Sequence, residues 1–274
     1  MKILFVSTFN EDLYKCSGKD LIRSFHQYQQ DGDLLICYED FNFSDTSDRV
    51  LTYDLQHDLY MNTWLQEHQD KIPKKYGGQA EDSSPYFHDN TKDYWGGQSG
   101  QYWANYRASR YFRKIVSLNY ALTNFSEKYD YIFVIDCDCI FKKNISPELI
   151  LSLFDNQISM IYFWGKFRKK KCNRGPETGF TGYSKENSGF KFAQIICDYF
   201  SQGHFLKCQY WDDGYVIGQI INKYQKNSSY HLKDIVGSLQ SKTTRVMDIK
   251  DQPLFDYVKH FKNKNANNLN LNIS

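Results

Sequence analysis

Tyr129-Asp130-Tyr131-Ile132-Phe133-Val134-Ile135-Asp136-Cys137-Asp138-Cys139-Ile140-Phe141 is the stretch on which the reading of this chain turns. Its continuous apolar run is the signature of a strand covered on both faces, as in a parallel sheet. The run ends abruptly in two acids one residue apart. Ligands of open α/β sheets sit beyond the carboxyl ends of the strands, so Asp136 and Asp138 fall where chemistry is expected. Residues i and i+2 share a face of an extended chain, which aims both carboxylates into one cavity and turns Cys137 and Cys139 to the other side. Two close carboxylates repel unless a proton or a counter-charge intervenes. A divalent cation supplies that charge, and carboxylate oxygens suit Mg²⁺ or Mn²⁺ with water and substrate phosphate completing the shell.

The flanking elements support an α/β domain. Lys2 to Thr8 is a short apolar strand, Gly18 to Gln30 has helical spacing at Leu21, Ile22 and Phe25, and Asp33 to Tyr38 is a second strand after the Asp31-Gly32 turn. This β-α-β opening implies a mostly parallel sheet with right-handed crossovers. Residues 40–103 read as polar, aromatic and loop-like, with a helix near Asp54 to Gln69; a stretch of that kind inside a domain is usually functional. Ala104 to Phe125 is a strong helix, with Tyr111, Ile115, Leu118, Leu122 and Phe125 on one face. Arg107, Arg110 and Lys114 flank that face, where their heads can reach over the sheet edge or simply meet solvent. Further on, Pro147 to Phe154, Ser184 to Tyr199 and Asp213 to Ile221 read as helices, and Ile158 to Trp164 as a strand.

Composition removes other classes. The 274 residues carry 34 Lys and Arg against 32 Asp and Glu, a net charge of +2. Such a chain has no bulk attraction to nucleic acid or anionic membrane. Mean hydropathy is -0.65, and no apolar run approaches the ~20 residues of a membrane span. Aromatics make up 17%, too much apolar area for a disordered chain. The basic, then apolar N-terminus is interrupted by Asn10, Glu11 and Asp12, and reads as a first strand rather than a leader. Seven scattered cysteines form no CxxC pair, which points to a reducing compartment and a cytoplasmic location. One domain over residues 1–262 and a frayed polar tail over 263–274 account for the length. Cys16-Ser17-Gly18-Lys19 lacks the earlier glycine of a P-loop, since position 13 is Leu.

An apolar strand ending in Asp-x-Asp, following the basic-edged helix from Arg110 with Lys114, resembles the core of the GT-A fold glycosyltransferases. The order of elements is similar over roughly residues 1–262. The resemblance implies a single Rossmann-like domain and a metal-dependent hexosyl- or pentosyltransferase. It would move a sugar from a nucleotide-sugar donor, with UDP the leading nucleotide, to a hydroxyl of a glycan acceptor. It also implies that Asp138 binds Mn²⁺ or Mg²⁺ directly, that Asp136 touches the ribose or the metal, and that the metal bridges the donor diphosphate. The first strand would bring Ser7, Thr8 and Phe9 near the base. Arg110, Lys114 and Lys262 would lie beside the diphosphate. A C-terminal histidine would complete the metal shell, with His260 fitting better than His231.

Two further segments resemble the inverting, Fringe-like β1,3-glycosyltransferases of this fold. Thr178-Gly179-Phe180-Thr181-Gly182-Tyr183-Ser184-Lys185-Glu186 is similar to their Gly-rich acceptor-side loop. Trp211-Asp212-Asp213-Gly214-Tyr215-Val216-Ile217-Gly218 is similar to their Glu-Asp-Val-Tyr-Val-Gly segment, with Asp in place of Glu at 212, Gly in place of Val at 214 and one extra residue before Gly218. The resemblance implies inversion, with Asp213 as general base and Asp212 as its fallback. An acid at a helix start can equally be only a cap. Tyr94-Trp95-Gly96-Gly97 and Tyr102-Trp103 suit a platform for a sugar ring or a place in the core. Retaining transfer, a haloacid-dehalogenase-type phosphohydrolase and a non-catalytic nucleotide-sugar-binding module are the competing readings.

Overall fold

The computed structural model describes residues 1–72, 105, 107–155, 157–171, 175–226, 229–237, 239, 243 and 245–261. Strand β1 (Ile3–Asn10) lies between β2 (Gly32–Glu39) and β4 (Tyr131–Ile135), parallel to both. Its register sets Val6 against Val134 and Thr8 against Cys37, so the Asp136 end of β4 sits at the level of Thr8. β3 (Val50–Asp54) adds a parallel edge beside β2. It falls inside the stretch expected to be loop-like, because a five-residue edge strand with one buried residue carries little hydrophobic pattern. Helix α1 (Lys19–Tyr28) connects β1 to β2, and α2 (Leu59–His68) follows β3, capped by Asp58, whose Oδ1 accepts from the Met61 N–H at 2.6 Å.

Helix α3 (Ala108–Phe125) precedes β4, and β5 (Cys139–Phe141) follows it. Then come α4 (Pro147–Phe154), β6 (Met160–Phe163), the short basic α5 (Lys166–Lys171), β7 (Glu177–Ser184), α6 (Gly189–Ser201), α7 (Asp213–Tyr224), β8 (Leu232–Asp234) and β9 (Val258–His260). The central sheet has seven strands in the order β3-β2-β1-β4-β7-β6-β8, and only β7 runs against its neighbours. This is the helix-flanked, mostly parallel α/β domain that the sequence implies. On one face, α3, α6 and α7 cover Leu4, Val6, Ile132 and Val134. On the other, α1 and α4 cover Ile3, Phe5, Phe133 and Ile135. The alternation of β1 and β4 between the two cores is the period-2 rule for a doubly covered strand.

Two expectations are corrected here. The Gly-rich stretch from Thr178 is strand β7, buried along its length and hydrogen-bonded between β4 and β6, rather than a loop. Gly182 makes that packing possible, since a Cβ there would stand 2.5 Å from Phe133 Cε1. The following helix therefore starts at Gly189 and not at Ser184. β5 and β9 form a separate antiparallel ribbon in which Cys139 faces His260. No helix among the described residues is long and apolar enough to cross a membrane. Lys262, the tail 263–274 and the aromatic pairs at 94–95 and 102–103 lie outside the described residues.

Candidate active site

The site forms where β4 ends. The Asp136 N–H donates to the Gly179 carbonyl at 2.9 Å, and the Cys139 N–H returns to the Asp136 carbonyl at 3.0 Å. Asp136 and Asp138 thus come together through a tight turn over 136–139, not through alternation along a strand. The same turn corrects the placement of Cys139. Its Sγ faces the acids, with the ligand atoms of Asp138, Cys139 and His260 all within 4.8 Å of one another. Cys137 is buried on the same side of the sheet, where its sulfur accepts from the Ser17 hydroxyl at 3.7 Å.

His260 is delivered by the ribbon, and the Phe261 N–H ties its strand to the Asp138 carbonyl at 2.9 Å. Its Nε2 stands 3.0 Å from Asp138 Oδ1 and 3.6 Å from Asp136 Oδ2. Its Nδ1 stands 3.1 Å from Glu177 Oε1. Glu177 is buried, and its other oxygen accepts from the N–H groups of Val246 and Met247 at 2.8 and 3.3 Å. Burial pushes the imidazole pKa down, but the hydrogen bonds to Asp138 and Glu177 and the charges of Asp138 and Asp136 outweigh it, raising it to about 10. Between the ordinary 6.5 and about 10, the folded chain holds a proton that the unfolded chain has released. Stability of the metal-free protein therefore falls as pH rises through that window, and is fully present below it. Denaturant unfolding in EDTA at several pH values should show the decline, and His260→Gln should flatten it.

Gly179 makes room for His260: a Cβ there would lie 2.6 Å from both Cε1 and Nδ1 of the ring. Gly179→Ala should displace the imidazole while leaving the sheet paired. The expected result is a folded protein by circular dichroism whose thermal stabilisation by added Mn²⁺ is largely lost.

Lys114 is the counter-charge of the acidic pocket. From α3 its Nζ reaches Asp136 Oδ1 at 2.5 Å and Asp213 Oδ2 at 2.7 Å, and also donates to the Thr178 carbonyl at 3.2 Å. Burial disfavours its charge, but Asp136 and Asp213 overcome this and hold the ammonium well above its ordinary pKa. Asp213 Oδ2 also accepts from the Thr178 hydroxyl at 2.8 Å, and Oδ1 accepts from the Gly214 N–H at 2.9 Å. Burial alone would raise this carboxyl; Lys114 and these hydrogen bonds lower it. Asp136 moves the other way, raised by burial against the pull of Lys114 and His260, with Asp138 and Asp213 adding to the rise. Asp212 is the N-cap of α7, its Oδ1 accepting from the Tyr215 N–H at 3.0 Å.

The structure therefore gathers Lys114, Asp136, Asp138, Asp213 and His260, with Arg110 and Thr8 nearby and the remaining expected residues turned away or distant. Arg110 lies one helical turn before Lys114 on α3. Thr8 shares the β1 face of Val6, the side covered by α3. Ser7 and Phe9 alternate to the opposite face. Phe9 is buried among Tyr14, Phe41 and Phe43, so it offers no open face to a base. His231 precedes β8, and Ser159 accepts from and donates to its backbone beside the start of β6, at the far end of the sheet from Asp136. Glu177, Thr178 and Cys139 were not singled out from sequence as part of this pocket. The available signal was an acid opening a stretch otherwise made of small, apolar and hydroxyl residues, Glu177 to Ser184.

Comparison with known protein families finds no match, and no curated protein matches the chain. Among solved structures the chain is similar to mouse xyloside xylosyltransferase 1 in its apo form, at 11% identity and a TM-score of 0.48, over 97% of this chain and 99% of that one.

Proposed function

We propose that this protein is a metal-dependent GT-A-type glycosyltransferase that moves a sugar from a nucleotide-sugar donor, a UDP-sugar in the leading reading, to a hydroxyl of a glycan acceptor. The observation that carries this is the convergence of Asp136, Asp138 and His260, with Lys114 beside them, at the carboxyl end of a central parallel strand. Separations of 3.0 and 3.6 Å from His260 Nε2 to the two carboxylates suit donors to one divalent ion. When bound, Mn²⁺ or Mg²⁺ supplies charge that stabilises a departing diphosphate. Asp136 and Asp138 would hold that ion through oxygen and His260 through Nε2, while Glu177 keeps the far ring nitrogen engaged. Lys114 and Arg110 put positive charge beside the diphosphate, with Lys262 a further candidate. Thr8 lies on the donor side of β1.

The transfer makes a bond from the acceptor oxygen to the anomeric carbon and breaks the bond from that carbon to the diphosphate oxygen. The expectation that Asp213 takes the acceptor proton fits its surroundings poorly. Its carboxylate is held by Lys114, Thr178 and the Gly214 N–H, and a group held below the usual carboxylate range is a weak base. Asp213 instead anchors Lys114, and Asp212 caps α7. Retention of configuration, in which the departing diphosphate can receive the proton, is the outcome this arrangement favours. A panel of UDP-, GDP- and dTDP-sugars with Mn²⁺ should contain a donor that is turned over. NMR of the product should then show the donor's anomeric configuration; the opposite anomer would restore Asp213 as the base.

A further inference from the structure

Cys139 stands directly across the β5–β9 ribbon from His260. Directly opposed residues of an antiparallel pair project to the same side, so thiol and imidazole share a face. The turn at 136–139 brings Asp138 to them, and the three ligand atoms lie within 4.8 Å of one another. Donors about 2.0–2.3 Å from one ion stand roughly 3.3–3.8 Å apart, so the widest pair closes by at most about 1–1.5 Å. His260 is already oriented for this, because Glu177 engages Nδ1 and leaves Nε2 toward Asp138. That carboxylate-imidazole contact is how proteins fix the ring of a metal-binding histidine. Asp138 keeps 24% of its side chain exposed, which gives an ion a path from solvent to the buried sulfur and nitrogen. On binding, the thiol gives up its weak hydrogen bond to the Gly179 carbonyl, 3.4 Å.

We infer that Asp138, Cys139 and His260 form a three-donor site for a thiophilic divalent ion, Zn²⁺ foremost, and that Cys139 sets its preference for such an ion over Mn²⁺ or Mg²⁺. Sulfur and imidazole donors favour Zn²⁺, whereas Mg²⁺ and Mn²⁺ favour sites built of oxygen. On binding, bonds form from the ion to Sγ and Nε2, and the protons on those atoms pass to water. Three protein donors leave a fourth position open to water or to an oxygen of a substrate. The site shares Asp138 and His260 with the Mn²⁺ or Mg²⁺ shell of the proposed function, so Zn²⁺ here competes with that ion, and the inference does not depend on sugar transfer.

The probe is Co²⁺, titrated into the full chain carrying Cys16→Ser, which removes an exposed thiol. An intense near-ultraviolet sulfur-to-cobalt band should grow to saturation and be displaced by Zn²⁺. It should persist with added Cys137→Ser and vanish with added Cys139→Ser. Zn²⁺ affinity, measured against a chromogenic chelator, should fall about tenfold or more in Cys139→Ser, with Mn²⁺ affinity moving far less. Absence of the band in the folded Cys16→Ser protein overturns the inference without any change at position 139. Survival of the band in Cys139→Ser does so as well. Nucleotide-sugar turnover measured with Mn²⁺ separates the two readings: turnover without the band defeats this inference alone, and the band without turnover defeats the transferase reading alone.

Discussion

Lys114→Met is expected to destabilise the metal-free protein by about 3–5 kcal/mol, because it strands buried carboxylates without their counter-charge. Lys114 keeps 15% of its side chain exposed and Asp213 only 7%, so solvent screens their pairing weakly. The ammonium stands between Asp136 and Asp213, and no methionine contact replaces that charge. A loss of this size corresponds to a fall in Tm of roughly 10 °C for a chain of this length. The loss should shrink at acid pH, where the stranded carboxylates are protonated. It should shrink again when Mn²⁺ is added, because an ion at Asp136 supplies charge that Lys114 no longer does. Denaturant unfolding with and without Mn²⁺ checks both points. Unchanged stability in the variant would mean that the Lys114 pairings contribute nothing net.

Asp138→Asn is expected to lower donor turnover by about two to three orders of magnitude, the scale on which loss of a preorganised electrostatic element acts. Asp138 lies nearer than Asp136 to His260 Nε2, 3.0 against 3.6 Å, and its backbone carbonyl is tied to Phe261. The substitution removes a charged oxygen from the candidate metal shell while keeping the size of the side chain and the turn that carries it. Fold and melting in EDTA should change modestly, since the Asn side-chain oxygen can still accept a hydrogen bond from His260 Nε2. Mn²⁺-induced stabilisation and turnover should fail together. Turnover at the parental rate would remove Asp138 from the chemistry.

The parts of the fold that sequence made legible are those with local pattern. Tyr131 to Ile135 reads as a strand covered on both faces, and it is one. Pro147–Phe154 is a helix from its proline to its last apolar residue, with Ser146 as N-cap. Asp212 and Asp213 announce the start of α7. What escaped depends on contacts far apart in the chain. Glu177 reaches His260 across 83 positions, and Lys114 reaches Asp213 across 99. No periodicity in either segment records such a meeting. Strict alternation turns Cys139 away from the acids, and a turn of four residues breaks that rule. The resemblance makes the segment from Thr178 a Gly-rich loop; in strand β7 Gly179 and Gly182 instead serve close approach, to His260 and to Phe133.

In the proposed function, Asp136, Asp138 and His260 bind a nucleoside diphosphate through a divalent ion. Calorimetric titration of UDP, GDP and dTDP into the protein, with Mn²⁺ and then with EDTA, tests it most directly. One of the three should bind with Mn²⁺, lose its binding in EDTA and fail to bind Asp138→Asn under either condition. Equal binding in EDTA, or binding to none of the three with Mn²⁺ present, would contradict the claim.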